Sequence, residues 1–211
     1  SSDSLTKTPG SPTNVDKFTF SLWFKLGSVV TANDLALIFE YEDVNNYFGI
    51  TKKDNDRLQF FQFDGGSFSF NVQPNMLFRD HSSWYHVVIA YDSTQGTDSN
   101  RVKIYVNGSQ ITSFHTATYP TSGRDIRFNT NSKAIKIGQQ NSNLYFDGYM
   151  SEVVFIDGTA LDPTSFGEFD KDSPNIWKPK DVSGLTFGTN GFYLDFENAS
   201  SLGADVSGNS N

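Results

Sequence analysis

The sequence predicts an all-β protein with many polar loops and one short helix. Three observations lead there. Phe, Tyr and Trp number 20, 9 and 3 and outweigh Ala and Leu; aromatic side chains fit a pleated, half-buried surface, whereas Ala, Leu and Glu fill helices. Apolar residues recur with period two along most of the chain, the spacing of a strand with one core face. The acids are 19 Asp against 5 Glu, beside 17 Gly, which is turn chemistry.

The 211 residues suit one domain with an added arm. Residues 1–16 are rich in Ser, Thr, Pro and Gly without a period, and read as a leader or linker on the surface. Alternation starts at Lys17: Phe18, Phe20, Leu22 and Phe24 share one face, Thr19, Ser21, Trp23 and Lys25 the other. Strands follow at 35–41, 46–51, 57–63 and 67–72, the last after the Asp64-Gly65-Gly66 turn. Residues 73–82 read as irregular. From Trp84 to Tyr91 both alternating faces are largely apolar, the mark of a central strand. Residues 101–106 form the next strand and end at Asn107-Gly108, the commonest two-residue hairpin turn. Further strands are expected at 134–138 and 146–158. Asp162-Pro163 reads as an N-cap with Pro at the first helical position, opening a short helix over 163–169. The main β domain is thus expected over 17–172. Residues 173–211 form a C-terminal arm with strands at 185–189 and 192–198, which either returns to the sheet or leads into a further module. Phe20, Trp84, Val88, Ile104, Val106 and Ile137 are expected in the core.

Composition excludes several classes of function. Without cysteine there is no disulfide, thiolate metal site or thiol nucleophile. A net charge of −8 and a pI near 4.7 lack the basic footprint of a nucleic-acid-binding protein. No apolar run approaches the roughly 20 residues of a spanning helix, so no membrane insertion is expected. There is no Gly-x-Ser-x-Gly elbow and no phosphate-binding glycine loop. His81, His86 and His115 fall in different elements, and His86 alternates with core positions. Retaining glycosidases need two carboxyls about 5 Å apart. Jelly-roll glucanases place Glu-x-Asp-x-Glu on one strand, but here the sequence is Tyr193-x-Asp195-x-Glu197 and the first acid is missing. No catalytic residue and no enzymatic activity are expected.

Oxygen-rich loops leave calcium as a candidate cofactor, at Asp43 or Asp147; Asp92 with Asp98 is a weaker cluster. Ordinary Asx turns explain the same residues. Sugars stack on exposed aromatic rings beside polar groups, which singles out one loop rim of Tyr41, Asp43, Asn45 and Asn46. A second rim combines Gln139, Asn141 and Asp147.

The run SSWYHVVIAYDS, then RVKIYVNGSQI, then IKIGQQ, then FDGYMSEVVFIDGTALDP resembles the laminin G-like, concanavalin A-like lectin/glucanase superfamily across roughly 17–170. The ending from Phe155 to Asn211 resembles a form recurrent in structural proteins of tailed, particularly marine, bacteriophages. The resemblance implies a fold, a twisted two-sheet antiparallel jelly-roll β-sandwich, and display on a virion surface, as capsid decoration, fibre or tail appendage. Its implied partners are other virion proteins, copies of itself and a host-surface glycan; no ligand residue transfers by motif. The alternative is a secreted bacterial glycan-binding or adhesion module. Such chains are often longer, and ADVSGNSN reads as mid-sequence, so continuation past Asn211 is expected.

Overall fold

The structure, a computed structural model, describes residues 4–27, 34–129, 133–140 and 145–209. Its strands are β1 (Leu5–Lys7), β2 (Lys17–Leu26), β3 (Leu35–Asp43), β4 (Asn46–Lys52), β5 (Leu58–Asp64), β6 (Ser67–Pro74), β7 (Tyr85–Asp92), β8 (Val102–Val106), β9 (Ser109–Gln110), β10 (Phe114–Thr118), β11 (Ile135–Ile137), β12 (Gly148–Asp157), β13 (Gly167–Phe169), β14 (Trp177–Pro179) and β15 (Phe192–Leu194). A seven-stranded sheet runs β1-β11-β3-β4-β5-β6-β10, and a six-stranded sheet runs β15-β12-β2-β7-β8-β9. All named pairings are antiparallel, and β13 and β14 form a separate hairpin.

The period-two pattern decides which faces meet. Phe18, Phe20, Leu22 and Phe24 of β2 and Tyr85, Val87, Ile89 and Tyr91 of β7 point inward, against Phe48, Phe60 and Phe70 of the opposite sheet. Rings interlock through this layer: Phe18 stacks on Tyr91 at 4.8 Å, and Phe48 lies 4.8 Å from Phe128. Phe20, Val88, Ile104, Val106 and Ile137 are buried as expected. Trp84 is not; it precedes β7 and remains 41% exposed.

β7 is central because both its faces are covered. Its outward Val88 packs with Val154, Ile156, Phe166, Val182 and Phe187, a second apolar layer over the outer face of the six-stranded sheet. Residues 166–187 supply the cover, and β15 then pairs with β12, with Tyr193 opposite Val154. The segment read as a linker also joins the fold, since β1 pairs with β11 and puts Leu5 opposite Ile137. Buried Asp157 ties the two ends of the chain together. Its carboxylate accepts from Thr13 N–H at 2.7 Å, Asn190 N–H at 3.0 Å and Asn129 Nδ2 at 2.9 Å.

Three expected elements differ. The helix expected over 163–169 is one 3₁₀ turn, Pro163–Ser165, with Asp162 accepting from Thr164 N–H and Pro at the first position. The chain then extends into β13, because Gly167 must lie against the Trp177 indole, where a Cβ would come within 2.5 Å. Residues 185–189 form no strand: Leu185 N–H turns back to Val182, and Gly188 adopts φ +76°. The strand expected over 192–198 stops at Leu194, because Phe196 is left-handed at φ +61°.

Candidate functional site

A row of side chains crosses the outer face of the six-stranded sheet. Ser151 of β12 pairs with Trp23 of β2, Trp23 pairs with His86 of β7, and Asn107 follows β8 opposite His86. Asn107 and Gly108, at φ +48° and +80°, are the two left-handed residues of the expected hairpin turn. The β13–β14 hairpin stands beside this row and turns it into a cleft of about 490 Å³, within the usual range for small-molecule sites. Trp23, Trp84, Trp177 and Phe169 supply its aromatic walls; Ser151, Asn107 and Asn175 supply its polar groups. The chain has three tryptophans, and all three line this cleft.

His86 holds the wall in place. The Trp177 indole N–H donates to His86 Nδ1 at 2.8 Å. An indole nitrogen only donates, so Nδ1 is the acceptor and the neutral ring carries its proton on Nε2. Nε2 then donates to Ser21 Oγ at 2.9 Å. Burial pushes the His86 pKa down to about 3, which keeps the ring neutral. Trp23 stacks on the imidazole at 4.6 Å, and Phe169 meets Trp177 edge-on at 4.9 Å. Gly108 leaves room for the indole, since a Cβ there would come within 2.7 Å of it. Trp84 and Phe169 are the open rings, 41% and 53% exposed, whereas Trp23 is 7% exposed. Trp23 Nε1 is buried and makes no hydrogen bond. An unmet buried donor costs about 1–3 kcal/mol, a cost that an acceptor oxygen reaching it would relieve.

The two rims read from the sequence lie at opposite ends of β3. Tyr41, Asp43, Asn45 and Asn46 come together at the β3–β4 turn, with Tyr41 stacked on Tyr47 at 6.4 Å. The Asp43 carboxylate and the Asn46 side chain are engaged locally. Asp43 accepts from Asn45 N–H and Asn46 Nδ2, and Asn46 Oδ1 accepts from Gly65 N–H. These bonds hold the Asp43 carboxyl below the usual carboxylate range. The nearby acids Glu42 and Asp64 pair with Arg127, so a guanidinium sits where a cation would bind. At the other end Gln139 bridges to Tyr145 and accepts from Ser4 Oγ at 2.9 Å. Asp147 is exposed, and its carbonyl accepts from Gly27 N–H; Asn141 lies outside the described residues. Asp92 is bonded to Lys17, Thr94 and Gln95. Among the described residues no group of three or more His, Asp or Glu side chains is arranged to hold a metal ion.

Residues 1–164 match the family model for the concanavalin A-like lectin/glucanases superfamily. The chain belongs to this superfamily. No curated protein matches its sequence. Among solved structures it is similar to domain 4 of AbnA, a GH43 extracellular arabinanase from Geobacillus stearothermophilus solved with arabinotriose. That likeness has a TM-score of 0.50 at 18% identity and covers 74% of this chain and 65% of that one. It is also similar to a heptameric SAP-like pentraxin from Limulus polyphemus, with a TM-score of 0.47 at 17% identity, covering 76% and 78% of the two chains. A third likeness is the CBM40 of Ruminococcus gnavus IT-sialidase bound to α2,3-sialyllactose, with a TM-score of 0.45 at 13% identity, covering 64% and 71%. The superfamily match makes the fold lectin-like. Phe169, Asn175, Trp177 and Pro179 fall after the matched region, so the superfamily sandwich supplies one side of the cleft and the C-terminal arm the other.

The glucanase-like arrangement of acids is not on one strand of this superfamily member. β15 ends before Asp195, whose Oδ1 accepts from Glu197 N–H at 3.1 Å in a turn. Tyr193, at the missing acid's position, donates its hydroxyl to Glu152 at 2.5 Å. Burial raises the Glu152 pKa, and the charges of Asp195 and Glu197 add to the shift. Glu152 sits at φ +51° where the β12–β2 register shifts, which turns its side chain toward the arm.

Sequence reasoning missed the cleft. Period two places Trp23 on the outer face and His86 beside Val88, but Trp177, 91 residues from its partner His86, lies in a stretch without a period. The available signal was an outward tryptophan on a strand whose two faces are both apolar: such a face must be covered, and the cover has an edge.

Proposed function

We propose that this chain is a non-catalytic glycan-binding module of a bacteriophage particle, and that the tryptophan cleft is its binding site. One observation carries the binding assignment: every tryptophan in the chain converges on one cleft, interleaved with two asparagines and a serine. Aromatic faces take the apolar face of a sugar ring, and amides and hydroxyls meet its hydroxyl groups. The lectin-like fold agrees with this use but does not dictate it. What supports the absence of catalysis is the turn at Asp195–Glu197 and the engagement of Glu152 by Tyr193, which leave no pair of carboxylates facing the cleft.

Placement on a virion rests on the resemblance of the C-terminal third, and an acidic surface that avoids packaged DNA is consistent with it. Many copies on a particle make weak single sites useful, because avidity exceeds single-site affinity by roughly 10²–10⁴. Partners would be neighbouring virion proteins and further copies at the open sheet edges.

A glycan array probed with a multivalent form tests the binding assignment. Wild type should bind with and without EDTA, since among the described residues no carboxylate lines the cleft, and Trp84→Ala should lose the signal. Binding that survives Trp84→Ala would move the site elsewhere. Mass spectrometry of purified particles tests placement: absence of this chain from virions would favour the secreted bacterial reading. Release of reducing ends from β-glucans, lost in Glu152→Gln, would overturn the non-catalytic assignment.

A further inference from the structure

Resting on the reading of the cleft as a glycan site, we infer that it selects neutral sugars and excludes acidic ones. Among the described residues its polar lining is Ser151, Asn107 and Asn175, with no charged side chain. Asn107 spends its Oδ1 on His86 N–H at 2.8 Å, which leaves its NH₂ as a donor to a hydroxyl or ring oxygen. The imidazole beneath cannot serve as a cation: both of its nitrogens are engaged, one by Trp177 and one by Ser21. A sialic or uronic carboxylate is held best by a guanidinium or ammonium. The nearest lysine on the hairpin, Lys178, is bound to Asp170 at 3.2 Å and to Glu168 at 3.5 Å. Lys25 follows Trp23 on the same face of β2, opposite Tyr149, and does not line the cleft. The chain's net charge of −8 adds a field that opposes an anionic ligand. Aromatic walls and neutral amides thus favour an uncharged pyranose or furanose with one apolar face.

All three tryptophans border the cleft, so intrinsic tryptophan emission reports on this site. The test is a fluorescence titration of the full chain with gluco-, galacto-, xylo- and arabino-trioses, and in parallel with 3′-sialyllactose and trigalacturonate. At least one neutral triose should change the emission in a saturable way. Its affinity should vary less than twofold between 50 and 500 mM salt, since no ion pair is made. Trp84→Ala, an exposed position that does not threaten folding, should weaken it at least tenfold. The acidic probes should bind at least tenfold more weakly. Saturable, salt-sensitive binding of an acidic probe, lost in Lys25→Ala, would overturn neutral selectivity and leave the glycan-site reading standing. No response to any probe of either class would overturn that reading itself.

Discussion

His86 fixes the tautomer, the wall and the acid sensitivity of the site at once. Its folded pKa is pushed down to about 3 by burial, while an unfolded histidine titrates near 6.5. Between those values the unfolded chain binds a proton that the folded chain does not, so stability is full above pH 6.5 and falls as the pH drops toward 3. The steepest loss is about 1.4 kcal/mol per pH unit. The carboxylates with lowered pKa values, such as Asp56 and Asp92, lose their contribution only below about 3.8, and Glu152, whose pKa is raised, acts in the opposite direction, so comparison with a His86 variant isolates histidine. Urea melts at pH 6.5 and 5.0 should show a loss of about 1–2 kcal/mol in wild type and a clearly smaller loss in His86→Gln. Equal losses in both proteins would mean that His86 is not buried neutral. Trp84 answers to different physics. Period two put it on the right face, with His86 and Val88, but the face is covered only where the arm lies, and Trp84 sits past that edge. Trp84→Ala should therefore leave the melting temperature within about 2 °C of wild type, within the range usual for surface substitutions.

The arm is the element on which the site depends, and two of its anchors are testable. Gly188, at φ +76°, has its α-carbon so close to Asp157 that a Cβ would come within 2.0 Å of that carbonyl oxygen. Backbone cannot yield as a flexible side chain can, so Gly188→Ala should cost more than about 2 kcal/mol by chemical denaturation. Asp157→Ala should cost at least about 3 kcal/mol, because it strands the Thr13, Asn129 and Asn190 donors beneath the arm. A cost near zero for either would mean that the arm is not docked as described. The strands of the sandwich were legible because alternation and the Asn107-Gly108 turn are local signals. Those of the arm were not: β13 and β14 are three residues each, and their pairing comes from where Trp177 packs rather than from their own pattern. The same holds for β1, whose short Leu5–Lys7 run has meaning only opposite β11.

Over the whole molecule, the fold class could be read from composition and period, and the binding site could not. Asp43, Asn45 and Asn46 drew attention as clustered polar residues, but such residues at a tight turn bond to one another first. Trp23, Trp84 and Trp177 are far apart in sequence and meet because an apolar outer face on the six-stranded sheet needed a lid that reaches part of the way across. The central claim, that this lid edge is the binding site, is tested most directly in a ¹⁵N–¹H correlation spectrum of the full chain. The three tryptophans give three indole N–H signals, set apart from the backbone. On titration with the neutral trioses, the Trp23 and Trp84 indole signals should move most, with Asn107 and Gly108 close behind. Movement confined to Asp43–Asn46, or to Gln139 and Asp147, with the indole signals unchanged, would contradict the account.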